Sequence, residues 1–282
     1  MIRQLDAEVV KFLAQHHYLP AIKEREKEIE KFEKKLIKKL FRMQIGLESA
    51  FINELRKRGY IGGSVDQTNL IETILNTPFE EMMTVISNEG VKVAELSRQL
   101  TIQEVMQQGI QATVSAFSER VKNKLKEKIY TFSQDTFQRI KGDFKTTLSQ
   151  AYQEGVGIDE TARRLREDFK NLRDHRLRTI ARTEIQSAQN EGTNETMREL
   201  GVRYKQWLTV GDSNVRGNHP RDEYDHISLH GEVVQYDEPF SNGLMFPGDR
   251  TGDIGDWINC RCRMRPYIPR KDENILTTPY YP

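Results

Sequence analysis

The stretch "IEKFEKKLIKKLFRMQIGLESAFINEL", residues 29–55, decides the fold class of the first half of the chain. Its apolar residues recur at spacings of three and four, which places them on one face of a helix, with lysine and glutamate on the other. Helix–helix packing is the simplest use of such a stripe, and long coupled helices also suit a protein that spans or wraps a larger assembly. The stripe consists of Ile29, Phe32, Leu36, Leu40, Met43, Leu47, Phe51 and Leu55.

The helical pattern continues from this stretch to about Leu200. Gly59 ends the first helix, and Ser64 with Gln67 forms a capping box for the next. Pro78 predicts a further helix start, as does the capping box of Thr101 and Glu104. Asp159 is predicted to cap a later helix that runs towards Phe169. A second apolar stripe consists of Val114, Phe117, Val121, Leu125, Ile129, Phe132, Phe137, Ile140, Phe144, Leu148 and Tyr152.

After Gly201 the pattern changes to short strands and turns. "VRYKQWLTV" at 202–210 and "GEVVQYDEPF" at 231–240 are typical of strands, and runs rich in Gly, Pro, Asn and Asp lie between and after them. The fold class is therefore predicted to be α+β, with a long helical N-terminal region and a small mixed C-terminal domain. The predicted organisation is a helical docking region at 1–157, the small domain at 158–270 and a tail at 271–282.

Composition excludes several classes of protein. Charged residues make up 30% and hydrophobic residues 37% of the 282 residues, which favours helices with solvated faces over a large apolar core. The formal net charge of +1 does not point to any particular class of partner. No run of about 18 apolar residues predicts a transmembrane helix, and the first 17 residues lack the pattern of a signal peptide. Two cysteines do not make a disulfide scaffold, so we expect a protein of the reducing cytosol, at least initially.

Those two cysteines, Cys260 and Cys262, lie in "NCRC" and are separated by one residue. In an extended strand both side chains point the same way. Together with His226 and His230 they offer the thiolate and imidazole ligands that zinc prefers. Cys-x-Cys is a weaker signal than Cys-x-x-Cys, so two buried, non-ligating cysteines remain an alternative. A catalytic thiol, activated by the adjacent arginines, is a third.

Arginines cluster in two places, and their role is open between two interpretations. One cluster precedes Thr183, and the other is the segment "RCRMR". Several arginines on one face could contact DNA phosphates, or they could form salt bridges with the acidic segment 211–256. The candidate DNA contacts are Arg173, Arg176, Arg178, Arg261, Arg263 and Arg265. No phosphate-binding loop, dinucleotide fingerprint or Gly-x-Ser-x-Gly motif occurs in the sequence.

Several motifs follow one another in the order of a known family. "ARTEIQSAQNEG", "GVRYKQWLTVGDSNVR", "HISLHG", "F…PGD" and "NCRC" resemble the Mu F-like, or SPP1 gp7-like, phage head morphogenesis domain over roughly Asp159 to Ile268. The joint order is specific, although each motif alone is weak. The matched positions are Arg182, Thr183, Glu184, Asn190, Gly192, Trp207, Asp212, Arg216, His226, Gly231, Phe246, Pro247, Gly248, Asn259, Cys260, Arg261 and Cys262.

This resemblance implies a minor head protein of a tailed phage or prophage. Such a protein is expected inside the head near the portal vertex, and in the host cytoplasm during assembly. Its expected partners are the portal protein, scaffold or major capsid proteins and genomic DNA, and no membrane. The segment "GNHPRDEY" at 217–224 is longer than the family pattern, which puts a role for His219 in doubt. The resemblance also implies a zinc site built on His226, Cys260 and Cys262, with His230 or His219 as fourth ligand.

Three functional hypotheses follow. The first is a non-enzymatic virion protein that acts in capsid assembly and in genome packaging or ejection. The second is a metal-dependent nuclease, transferase or toxin-like enzyme that uses Arg182, Glu184 and the histidine-rich loop, and an open metal position would favour it. The third is a DNA-binding protein that escorts the genome, whose affinity should fall steeply with salt.

Overall fold

The computed structural model describes residues 18–113 and 115–269, with side chains from residue 25 onward, and it is α+β as predicted. The predictions for residues 1–17, Val114 and the tail 271–282 lie outside these described residues. In the described chain no helix is both long and apolar enough to cross a membrane. The elements are α1 (Tyr18–Arg58), α2 (Ser64–Gln107), α3 (Glu119–Gln153), α4 (Ile158–Asn171), a π-helical turn (Leu172–Arg176), α5 (Leu177–Glu199), β1 (Tyr204–Leu208), β2 (Val233–Gln235), α6 (Ile254–Trp257) and β3 (Arg263–Tyr267).

Both apolar stripes form the buried faces of helices. In α1, Leu36, Leu40 and Phe51 have no exposed surface. In α3 the stripe members Leu125, Ile129, Phe137, Ile140, Phe144 and Leu148 are buried, whereas Phe132 is half-buried. Phe117 is buried but precedes the start of α3 at Glu119. Tyr152 was predicted to belong to it but is 52% exposed; in this last turn of α3 the neighbouring Ala151 is buried instead.

Local helix signals were right at two boundaries and wrong at three. Gly59, with φ 73°, follows the end of α1, and α2 begins at Ser64 as its capping box predicts. Pro78 and Thr101 do not start helices but lie inside α2. The apolar face of α2 stays packed on both sides of them, and this tertiary packing outweighs the local signals. Asp159 lies in the first turn of α4, whose N-cap is Gly157.

The chain divides into two compact units. The first comprises the described residues of 1–32, 90–125 and 182–282, and the second comprises 33–89 and 126–181. In the second unit, the rings of Phe51, Phe144 and Phe169 pack together with centroid separations of 4.7–5.9 Å. The domain boundaries predicted from sequence remain a prediction.

The first unit contains the small sheet and the "NCRC" segment. In the described residues the sheet has three antiparallel strands in the order β2-β1-β3, with Trp207 of β1 opposite Met264 of β3. Trp207 is fully buried, and its ring packs against that of Phe240 in a T-shaped arrangement with the centroids 5.1 Å apart. The apolar core around it also includes Met197, Leu229, Leu244, Phe246, Cys260 and Cys262.

Gly192 allows α5 to approach α2 closely within this unit. A Cβ at this position would lie 2.5 Å from the carbonyl oxygen of Ala94 and 2.7 Å from its Cα, both of which are backbone atoms. We expect Gly192→Ala to lower the free energy of unfolding by about 1–3 kcal/mol, because the helices must separate. Gly142→Ala in α3 is the matched control. Its Cβ meets no atom within 4 Å, so chemical denaturation should show a gain of about 0.5–1 kcal/mol.

Lys205 of β1 is a buried cation in the same unit. Its side chain has no exposed surface, and Nζ donates to the carbonyl oxygen of Met245 at 2.8 Å. The ammonium also lies 5.2 Å from the ring centroid of Phe240. Burial lowers the pKa of Lys205 to about 8, although the charge of Asp249 acts in the opposite direction.

Stability should therefore rise with pH in the window that Lys205 titrates. Between about pH 8 and the ordinary lysine pKa of 10.5 the unfolded chain holds more protons than the folded chain, so alkali favours folding. We expect the wild type to gain about 2–3 kcal/mol relative to Lys205→Met across this window. Urea unfolding at several pH values measures the difference. Lys124→Met, at an exposed lysine, should keep the pH dependence of the wild type. An equal pH dependence in the wild type and Lys205→Met would contradict the assignment.

Candidate functional site

The family-like motif residues meet where α5 faces the "NCRC" segment. Arg182 donates from Nη1 to the side-chain Oδ1 of Asn259 at 3.1 Å. The backbone N–H of Asn259 donates to Oγ1 of Thr183 at 2.9 Å. Asn259 adopts φ 57°, a left-handed conformation that asparagine tolerates better than most residues. The chain reverses there between α6 and β3. "RTE" in α5 thus fixes the turn that presents the cysteines.

Asn190, two turns further along α5, fixes the start of β3. Its Nδ2 donates to the carbonyl oxygen of Cys262 at 3.0 Å, and its Oδ1 accepts from the amide of Met264 at 2.9 Å. Gln186 donates to the same Cys262 carbonyl and to that of Arg261. A buried side-chain amide replaces the strand partner that this edge of β3 lacks, which accounts for Asn at this position.

Other matched positions secure the loops around the cysteines. Asp212 forms an ion pair with Arg261, and Arg216 donates to the carbonyl oxygen of Ile258. Glu184 is fully buried and pairs with Arg250. These contacts use charged motif residues to hold the protein together.

The matched glycines and proline shape the turns. Gly231 and Gly248 adopt φ 87° and 86°, which glycine allows without strain. A Cβ at Gly248 would lie 3.1 Å from Oγ of Ser187, so α5 and this turn are in close contact. Pro247 beside it is buried.

His226, Cys260 and Cys262 form the one cluster of possible metal ligands found among the described residues. Nδ1 of His226 lies 3.6 Å from Sγ of Cys260 and 3.5 Å from Sγ of Cys262. With Zn–N bonds of about 2.0–2.1 Å and Zn–S bonds of about 2.3 Å, a tetrahedral ion holds nitrogen and sulfur about 3.5 Å apart. The donor types and their spacing therefore fit zinc. The prediction that both cysteines point the same way is confirmed.

The surroundings shift the pKa values of the two thiols in opposite directions. Hydrogen bonding from Cys262 lowers the pKa of Cys260 well below its ordinary value, and His226 adds to the effect against the cost of burial. The backbone amide of Cys262 also donates to Sγ of Cys260 at 3.3 Å. The side chains are only 3% and 2% exposed. A thiolate is thus favoured at a position closed to solvent.

Asp256 orients the histidine. Nε2 of His226 forms a hydrogen bond with Oδ1 of Asp256, and Oδ2 of Asp256 accepts from Nδ2 of Asn242 at 3.3 Å. Burial lowers the pKa of His226, but Asp256 and Cys260 outweigh it and raise the value to about 9. A carboxylate on one ring nitrogen leaves the other free to face the thiols, as in histidine ligands of metals. Sequence reasoning did not identify Asp256 or Asn242.

The other candidate histidines do not join the cluster. Nδ1 of His230 accepts a hydrogen bond from the Thr209 amide at 3.1 Å and lies 2.9 Å from its hydroxyl. His219 accepts from the amide of Arg221 within the exposed segment 217–224. The structure therefore brings together three of the four predicted metal ligands.

The candidate DNA-binding arginines differ in their accessibility. Arg173 and Arg176 form ion pairs with Asp174 and Asp143 on the second unit, and Arg178 lies over the ring of Phe41 at 4.9 Å. In the first unit, Arg265 donates to Gln206. Arg263 is 2% exposed and lies in the interior, where it cannot reach a phosphate without unfolding. Of the predicted set, Arg176 and Arg178 are exposed.

A cavity of about 610 Å³ opens beside His226. Its wall carries four carboxylates, from Glu223, Asp225, Asp253 and Asp256, and the segment 217–224 contributes Tyr224 as well. Neither cysteine lines it. The thiols are therefore not presented to a substrate there, which weighs against a catalytic cysteine.

The fold and site define a small α+β domain whose polar motif residues fix loops around a Cys-x-Cys segment. Residues 142–265 match the family described as "Phage Mu protein F like protein". The match supports a phage head morphogenesis protein and confirms the resemblance seen in the sequence. No match was found among curated proteins or among solved structures.

Proposed function

We propose that this protein is a non-enzymatic minor head protein, associated with the portal and acting in capsid assembly and in genome packaging or ejection. The family match over residues 142–265 carries the proposal. The arrangement of the motif residues supports a structural role, because Arg182, Thr183 and Asn190 are engaged in holding β3 and its turn. Glu184, a candidate catalytic residue by sequence, is buried and paired with Arg250.

Association with the portal is tested by co-expression with the portal protein of the same phage or prophage. We expect the full-length chain to co-purify with tagged portal at physiological salt, and not with an unrelated protein that carries the same tag. Asn190→Ala should weaken this retention if the family domain makes the contact. Asn194→Ala, one turn further along α5, is the matched control. Absence of the chain from purified portal complexes and from purified heads would contradict the proposal.

A role in escorting DNA is a second candidate, supported by the exposed arginines of the second unit. Arg176 makes a single ion pair at 3.4 Å to an Asp143 side chain that is itself 54% exposed, so both arginine and carboxylate face solvent. The double variant Arg176→Ala, Arg178→Ala should weaken binding to double-stranded DNA and reduce the salt slope by about 2. The exposed pair Lys34→Ala, Lys35→Ala is the control for general charge loss. Equal affinity and slope in all three proteins would exclude these arginines from DNA contact.

A further inference from the structure

His226, Cys260 and Cys262 come from two separate parts of the chain and converge on one point. His226 lies in the long loop after β1, whereas the cysteines lie between α6 and β3. The segment 209–232 contains no helix or strand. Few repeated backbone hydrogen bonds therefore hold this part of the first unit. A cross-link at His226 would connect the loop to the edge of the sheet.

Packing alone does not account for the chemistry of the cluster. Two apolar thiols beside a neutral ring would need no carboxylate, yet Asp256 binds the far nitrogen of His226 and is itself held by Asn242. This chain of polar groups fixes the ring so that Nδ1 faces both sulfurs. Leaving a thiolate and an imidazole together in the interior is costly unless a cation or protons compensate.

From this geometry we propose that the protein binds one zinc ion through Nδ1 of His226 and the thiolates of Cys260 and Cys262, as a structural cross-link. Two thiolates and one imidazole favour zinc over the hard cations magnesium and calcium, which prefer oxygen ligands. The role of Asp256 is to hold the proton on Nε2 and so keep Nδ1 available. The proposal is independent of portal association.

The fourth ligand is not one of the predicted histidines in the described chain. His230 is engaged with Thr209, and His219 lies on an exposed turn. A water molecule can complete a site with three protein ligands, an arrangement that is more common in catalytic zinc centres. Because neither cysteine lines the neighbouring cavity, we assign the ion a structural role. We therefore expect the isolated full-length chain to bind zinc without a partner protein.

Metal content of the full-length chain, purified under reducing conditions, tests the proposal first. We expect about one zinc per chain by elemental analysis. After removal of zinc by a chelator, added Co²⁺ should give the intense visible bands of a tetrahedral site and near-ultraviolet bands of thiolate ligation, and zinc should abolish them. The metal-free chain should melt about 10 °C or more below the zinc-loaded chain.

Variants assign the ligands. Cys260→Ser and Cys262→Ser should each lose zinc and the thiolate bands, whereas His230→Ala should retain one zinc per chain. If the serine variants do not fold, the Co²⁺ spectrum of the wild type still decides the matter. Absence of bound zinc together with a featureless Co²⁺ titration would overturn the proposal, as would stoichiometric zinc in both serine variants. Iron or copper in place of zinc, retained after zinc addition, would overturn the identity of the metal.

Discussion

Glu104→Gln is expected to lower the free energy of unfolding by about 3–5 kcal/mol, because it removes the carboxylate between two buried arginines. Glu104 accepts from Nη1 of Arg25 at 3.0 Å and lies 3.5 Å from Nη1 of Arg263. Both arginines are 2% exposed. Without Glu104, two like charges would remain in the interior, with Thr193 as the acceptor for Arg25 at 2.7 Å.

Arg263→Met should act in the opposite direction. None of the guanidinium nitrogens of Arg263 has a hydrogen-bond partner within the described chain, and burial lowers its pKa to about 10. Arg263 is therefore held mainly by the charge of Glu104 at 3.5 Å, and Glu104 keeps Arg25 as a partner in its absence. Replacing Arg263 with an apolar side chain of similar length should be neutral or stabilising by about 1–2 kcal/mol. Urea unfolding of both variants measures the contrast. A large loss of stability for Arg263→Met would show that the guanidinium has a role that these contacts do not reveal.

The effect of Glu104 should depend on pH with a defined sign. Burial raises the pKa of Glu104, but the charges of Arg25, Arg263 and Arg265 outweigh it, so the folded value is lowered. The stabilisation is therefore complete above the ordinary glutamate value of 4.5 and disappears as the pH falls through the folded value. The difference between the wild type and Glu104→Gln should shrink in acid. Glu72→Gln, at an exposed glutamate of α2, should change little at any pH.

Asp256→Asn should raise the dissociation constant for zinc about 10–100-fold, if the proposed metal site is correct. Asparagine keeps the size of the side chain and can still accept from Nε2 of His226. It removes the negative charge that strengthens Nδ1 as a ligand. Competition with a chromophoric chelator measures the affinity, and circular dichroism shows whether the fold persists.

Asp253→Asn is the matched control for Asp256→Asn. Asp253 lines the same cavity, three residues earlier, but its side chain is exposed. Its replacement should leave the zinc affinity within about twofold of the wild type, since a solvated charge is screened. Equal affinities in all three proteins would show that Asp256 serves only the packing of His226. Equal losses in both variants would indicate a general effect of cavity charge.

Periodicity determined most of the helical region without help from tertiary structure. A stripe such as Leu36, Leu40, Phe51 and Leu55 can be buried only if the chain is helical, so spacing alone predicts the element. Boundaries were less certain, because a capping signal is a local preference of about 1 kcal/mol. At Ser64 no packing interaction among the described residues competes with the capping preference, and the helix begins there. At Thr101 the packing of the buried face of α2 is stronger than the capping preference, and the helix continues.

The sequence also determined that the side chains of Cys260 and Cys262 point the same way, since side chains two residues apart along an extended chain lie on one face. It offered both His226 and His230 as ligands, and it could not tell whether both imidazoles would reach the cysteines. The fold decided between them, by placing Thr209 against His230 and Asp256 against His226. Asp256 had no sequence signal, because one carboxylate among many in an acidic segment does not reveal its partner.

The buried cluster of Arg25, Glu104 and Arg263 depended entirely on tertiary structure. Its members are separated by up to 238 positions, so no local pattern connects them. The usual alternation of buried and exposed side chains along a strand does not hold at Arg263, because Cys262, Arg263 and Met264 are all buried. β3 is covered on both sides, and a strand covered on both sides has no exposed face to reveal which arginine meets solvent. Local spacing thus determined the helices and the direction of the cysteines, whereas burial and charge pairing were decided by contacts between distant parts of the chain.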